Sequence, residues 1–171
     1  MFPRMVRDIA NAANKEIDFI ISGSDTAVDK KIIEEIKAPL IHILRNSIDH
    51  GIEMPEERER KGKSRVGKIY LSATQDKNSI IITVKDDGVG INVNKIREKA
   101  LERNLLTKEE IDSMTDEQMT GLIFWPGFST GDQITEISGR GIGLDVVQTK
   151  LSQLNGKVHV VSVMDKGCKT I

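Results

Sequence analysis

Apolar residues recur along this chain with two periods, and the switches between them mark its elements. Met5, Ile9 and Ala13 lie four apart, which predicts a helix over 3–14, and "EIDFIIS" (16–22) alternates as a strand does. From Asp29 the apolar positions Ile33, Ile36, Leu40, Ile43, Leu44 and Ile48 recur every three or four residues, a long helical pattern. Pro39 has no N–H to donate and should kink that helix or start a new one. "GIEMPEERERKGKSRVG" (51–67) is charged and poor in apolar residues, so it reads as an exposed connection with a short helix after Pro55. Two strands follow, "KIYLSATQD" (68–76) and "SIIITVKD" (79–86), joined in the manner of a hairpin. Helices are expected over 93–104 and 107–123, the second broken near Met114, and over Ile142–Leu154; "KVHVVSV" (157–163) reads as a last strand. Between them "FWPGFSTGDQITEISGRGIG" (124–143) holds five glycines and a proline, longer than an ordinary connection and typical of lids and binding loops.

Helices and strands mix without strict βαβα alternation. The expected class is therefore α+β: a two-layer sandwich, its mixed and mostly antiparallel sheet covered on one face by helices. At 171 residues the chain fits one domain spanning 1–171. With 25 basic and 26 acidic residues the net charge is -1, so no global field argues for nucleic acid or an anionic membrane, and any anion must be caught locally. One cysteine, Cys168, excludes an internal disulfide and fits a cytoplasmic setting. No run approaches the roughly 20 apolar residues of a spanning helix, so a soluble protein without membrane insertion is expected.

Three stretches carry chemistry. In β periodicity Ile80, Ile82, Val84 and Asp86 share one side, so an apolar face ends in a carboxylate, which burial makes costly without a donor. Either Asp86 caps a turn, as Asp87-Gly88 suits, or it accepts from a ligand N–H, with the glycines of "DDGVG" letting a flat ligand approach the backbone. In "LIHILRNSIDHG", at about 100° per residue, His42, Asn46 and Asp49 fall in one sector with His50 at its edge, while Leu40, Leu44 and Ile48 lie opposite. This stripe is a solvated face or a ligand face; zinc suits it poorly, whereas an Asn carbonyl suits Mg²⁺. Third, Gly139, Gly141 and Gly143, with Arg140 among them, open a helix whose unpaired N–H groups favour an anion. The spacing is not the GxGxxG of a dinucleotide fold, and "GKS" (62–64) lacks the first glycine of a P-loop, where Glu57 stands.

Together these segments resemble the GHKL superfamily of ATPases and, within it, the ATP-binding (Bergerat-type) domain of the CheA family of chemotaxis histidine kinases. "HILRNSIDHG" resembles the N box, "DDGVG" the first glycine box, "LIFWPGFST" the F box and "GRGIGLDVV" the second glycine box, in the family's order. The resemblance implies that Asp86 receives the adenine amine, that Gly88 and Gly90 let the base lie close, and that Asn46 holds Mg²⁺. It places His42 and His50 by the phosphates, His42 as a positioning or proton-handling group, with Asp49 in the same stripe and Arg45 and Lys95 as basic positions near ATP. Gly139, Arg140, Gly141 and Gly143 would wrap the phosphates, and Ser129 and Thr130 would belong to a lid over 125–141. Two positions depart from the family's pattern: Gly131 stands where many relatives carry Lys, and Cys168 where Thr is usual.

The resemblance further implies transfer of the γ-phosphate to a histidine on a separate domain, with a coupling protein and chemoreceptors as partners of the full-length kinase. His159, the remaining histidine, reads as structural. Residues 1–14 would be the stub of a helical dimerisation or linker segment, leaving this domain a monomer. A nucleotide-sensing module without catalysis, or another GHKL ATPase, is the alternative.

Overall fold

Among the described residues five strands form one mixed sheet, and the period-two patterns that predict them also decide which face is dry. The computed structural model describes residues 2–23, 30–76, 79–126, 128 and 144–171. In chain order the elements are α1 (Phe2–Ala12), β1 (Ile17–Ser22), α2 (Lys30–Asn46), α3 (Pro55–Arg60), β2 (Gly67–Asp76), β3 (Ser79–Asp86), α4 (Val93–Glu102), α5 (Lys108–Ser113), α6 (Asp116–Gly121), α7 (Asp145–Gln153), β4 (Val160–Val163) and β5 (Gly167–Thr170). The strand order is β1-β2-β3-β5-β4. β1 runs parallel to β2, whereas β3 is antiparallel to both β2 and β5, which is the mixed α+β sheet expected. Residues 1–91 and 161–171 make one compact unit and 92–160 another.

In the first unit the alternation is clear where β2 begins and β3 ends. Ile69 and Leu71 of β2 and Val84 and Asp86 of β3 are buried, while Lys68, Lys85 and Ile81 are exposed. The register sets Asp86 opposite Ile69, a fully buried residue. α1 buries Val6 and Ala10, one residue round from the expected Met5–Ile9 stripe, whose members are half-buried.

No new helix starts at Pro39: α2 runs from Lys30 to Asn46 with the proline inside it. Ile36, Leu40, Ile43 and Leu44 share the buried face with Pro39. Burying each is worth roughly 1.5–3 kcal/mol, which outweighs the cost of about 3 kcal/mol for an internal proline. Past Asn46 the winding widens: Ser47–Gly51 forms one π-helical turn, closed by the Ile52 N–H donating to the Ser47 carbonyl at 2.8 Å. Ile48 stays fully buried, and Asp49 and His50 are exposed. The Lys15 ammonium donates to the carbonyls of Ile48 and Asp49 at 2.6 and 2.8 Å, supplying partners at the end of that turn.

The segment 51–67 departs from the exposed connection its composition suggested. Ile52, Glu53, Pro55 and Arg58 are buried, and the two charged residues among them pair with each other, Arg58 also with Asp87.

In the second unit, Thr107 and Thr115 each begin a helix with a capping box, closed by Glu110 and Gln118, so the pattern breaks at Met114 as expected. α6 continues into a buried 3₁₀ turn, Leu122–Phe124. α7 buries Val147; the expected start at Ile142 lies outside the described residues. β4 begins at Val160, so His159 precedes the strand, half-exposed and 2.9 Å from Glu117. β5, which belongs to the first unit and which the pattern did not announce, follows a turn at Asp165 (φ 58°) and begins at Gly167 (φ 108°). Among the described residues no helix is long and apolar enough to cross a membrane.

Candidate functional site

Within the first unit, the buried face of β3 ends at Asp86, 3 % exposed. Three donors hold its carboxylate: Ser47 Oγ–H to Oδ2 at 3.0 Å, and the amides of Gly88 and Cys168 to Oδ1 at 3.1 and 3.2 Å. Burial pushes the Asp86 pKa up, and these hydrogen bonds work against that rise. An ionised carboxylate offers about four lone-pair positions. Three are occupied among the described residues, which leaves acceptor capacity for one further N–H group, with the bond from Ser47 on Oδ2.

The glycines around it fit close backbone contacts. A Cβ on Gly88 would lie 2.1 Å from the Gly51 carbonyl oxygen, and this closeness lets the Val89 N–H donate to Gly51 at 2.9 Å. Gly90 takes φ +73° and faces the Val163 carbonyl, where a Cβ would come within 2.4 Å. Both residues therefore bring chain segments together around Asp86, a role in addition to the ligand approach suggested by the pattern. Gly167 similarly presses on the Asp86 backbone, its notional Cβ 2.0 Å from that carbonyl oxygen.

Asn46 stands beside Ser47 at the junction of α2 and the π turn. Its Nδ2 is buried with no hydrogen-bond partner among the described residues, a donor that a bound group would satisfy. Its amide oxygen is the hard donor that Mg²⁺ takes. No group of three or more His, Cys, Asp or Glu suited to a metal occurs among the described residues, so a cation here would draw its other ligands from water and phosphate, as Mg²⁺ does.

Thus Asp86, Gly88, Gly90 and Asn46 gather in one unit. His42 is half-buried on α2; Arg45 at the end of that helix and Asp49 and His50 in the π turn are exposed. Lys95 is exposed in the first turn of α4, in the second unit. Ser129, Thr130, Gly131, Gly139, Arg140, Gly141 and Gly143 lie outside the described residues, and of the expected lid 125–141 only Trp125, Pro126 and Phe128 are described. Ser47 and the Cys168 amide were not singled out by the sequence. A hydroxyl next to Asn46 was the available signal for the first; a backbone donor leaves none for the second. Asp87, expected as a turn residue, does more: Oδ2 pairs with Arg58 at 2.9 Å and Oδ1 accepts from the Lys68 amide at 2.8 Å.

Residues 35–171 match the family model described as histidine kinase-, DNA gyrase B-, and HSP90-like ATPase. The chain is 52 % identical over 166 residues to the chemotaxis protein CheA of Bacillus subtilis (strain 168), covering 97 % of this chain and 25 % of that protein. It is 48 % identical over 166 residues to the chemotaxis protein CheA of Halobacterium salinarum, with the same 97 % and 25 % coverage. It therefore spans a quarter of the length of these curated relatives. A solved histidine kinase domain from the Erythrobacter litoralis EL346 blue-light activated histidine kinase shares the fold, with a TM-score of 0.55 at 14 % identity over 98 % of this chain and 56 % of that one.

Proposed function

Because this chain belongs to the histidine kinase-, DNA gyrase B- and HSP90-like ATPases, we propose that it is the ATP-binding catalytic domain of a chemotaxis histidine kinase. The observation that carries the reading is the Asp86 carboxylate: buried at the end of an apolar strand face, held by three donors, and able to accept one more. A base's exocyclic amine would supply that donor. Its similarity to two CheA proteins at 48 and 52 % identity supports chemotaxis as the setting.

Phosphoryl transfer asks mainly for positioning and charge neutralisation. Asn46 would hold Mg²⁺ through its amide oxygen, and the ion, when bound, neutralises phosphate charge. His42 would position or take the proton at the transferring group, with Arg45, Asp49 and His50 along the same helix and π turn. Lys95 would add a basic contact. The lid over 125–141, with Ser129 and Thr130, and the glycine loop of Gly139, Arg140, Gly141 and Gly143 would enclose the phosphates. The acceptor would be a histidine on a separate domain of the full-length cytoplasmic kinase, which would also engage a coupling protein and chemoreceptors. The whole chain would act as one ATP-binding domain, a monomer when isolated.

The test is titration with Mg-ATP, followed by calorimetry and by the emission of Trp125, the single tryptophan. Saturable binding, and phosphate transfer when an acceptor histidine domain is supplied, is the expected result. No binding in calorimetry would overturn the reading.

A further inference from the structure

The charged segment 51–67 delivers two cations to the loop that follows Asp86. Arg58, 1 % exposed, donates through Nη1 to Glu53 Oε2 at 3.0 Å and through Nη2 to Asp87 Oδ2 at 2.9 Å. The Lys63 ammonium donates to the other Glu53 oxygen at 2.7 Å and to the carbonyls of Asp87 and Gly88 at 3.1 and 2.7 Å. Glu53 thus holds both cations, and with Asp87 the four charges cancel.

What this arrangement fixes follows from peptide geometry. In a planar trans peptide the C=O and the next N–H point in opposite directions. Turning the Asp87 carbonyl toward Lys63 and Arg58 therefore aims the Gly88 N–H the other way, and that N–H donates to Asp86 Oδ1 at 3.1 Å. Turning the Gly88 carbonyl toward Lys63 likewise aims the Val89 N–H at the Gly51 carbonyl, 2.9 Å away. One ammonium group thus holds from behind both the peptide whose N–H meets the site carboxylate and the next one, which ties the loop to Gly51. A buried ion network contributes little net stability over apolar side chains of the same volume. Geometry is what it supplies here.

We infer that Glu53, Arg58 and Lys63 are positioning residues that set the adenine discrimination of Asp86 through the Asp87-Gly88 and Gly88-Val89 peptides. The inference rests on the adenine reading above. Lys63 is the member to change, since Lys63→Met removes its ammonium and leaves the Arg58 pairs with Glu53 and Asp87 in place.

The experiment measures the affinity of the whole chain for ATP and for inosine triphosphate, in which an oxo group replaces the 6-amino group, and records urea unfolding separately. Lys63→Met should lower the ATP-to-inosine preference by about tenfold, the scale of one hydrogen bond to a charged group, while Lys63→Arg keeps it. A purely structural role would shift the urea midpoint and leave the ratio for folded protein unchanged, and that result overturns the inference. If Lys63→Met does not fold, Glu53→Gln, which keeps volume and one acceptor oxygen, is judged on the same ratio. A parent chain that binds ATP without preferring it over the inosine nucleotide sinks the adenine reading itself, a separate outcome from a preference that Lys63→Met leaves intact.

Discussion

Replacing Asp86 with asparagine separates its hold on the loop from its proposed role of receiving a ligand. In the fold the change is mild. Asn Oδ1 can still accept from the amides of Gly88 and Cys168, and the Ser47 hydroxyl can rotate to accept from the new Nδ2, so all three partners at 3.0, 3.1 and 3.2 Å survive. The buried charge is lost, and its desolvation cost disappears. Toward an adenine amine the change is severe, because an NH₂ group meets an NH₂ group. A hydrogen bond to a charged acceptor is lost and a buried donor is left unmet, together about 3 kcal/mol or more, which weakens Kd by about 100-fold or more. Calorimetric titration with ATP, alongside urea unfolding, reads both quantities. Asp87→Asn is the control: its carboxylate points the other way, to Arg58 and the Lys68 amide, so affinity should fall only a few-fold while stability drops by about 1–2 kcal/mol. A folded Asp86→Asn protein that binds ATP within threefold of the parent would refute the reasoning (about 0.7 kcal/mol), as would equal losses from the two substitutions.

Burial raises the Asp86 pKa above its ordinary value of 3.8, so the folded chain binds this proton more tightly than the unfolded chain. The stability contributed by this group therefore falls as pH rises from the unfolded value through the raised one, and is regained in acid, whereas ATP affinity runs the other way because the ionised form receives the amine; Asp86→Asn should flatten both, as parallel urea and binding series would show. Arg58→Met strands Glu53 and Asp87 without their shared cation and should cost about 3–5 kcal/mol in urea unfolding; a loss below about 1 kcal/mol would mean that Lys63 alone satisfies them. The Cys168 thiol, pushed up to about 12 by burial and then by the nearby Asp86 charge, should resist a disulfide-exchange reagent at neutral pH until the chain is unfolded, and rapid labelling of folded protein would contradict its placement.

Periodicity carried the sequence far where a side chain's direction follows from its position in a single element. Ile80 to Asp86 alternate as expected, and the burial of Val84 and Asp86 against the exposure of Ile81 and Lys85 bears out the face that Asp86 was assigned. The same logic failed where direction depends on partners distant in the chain. Segment 51–67 has the composition of a solvated loop, and nothing local says that Glu53 and Arg58 pair in a buried place or that Lys63 reaches carbonyls 24 and 25 residues away. A π turn also slips the helical wheel just after Asn46, so the 100° spacing that groups Asp49 and His50 with His42 does not hold there. Backbone donors such as the Cys168 amide have no residue type to announce them. These failures gather around one carboxylate. The sequence-legible part of the site is the buried carboxylate itself, and the illegible part is the set of long-range contacts around it: Ser47 from the π turn, the Cys168 amide from β5, and Lys63 on the carbonyls of Asp87 and Gly88. A lone Asp-Gly pair in a strand end therefore says little, because the same two residues without Gly51, Lys63 and β5 behind them would make only a turn.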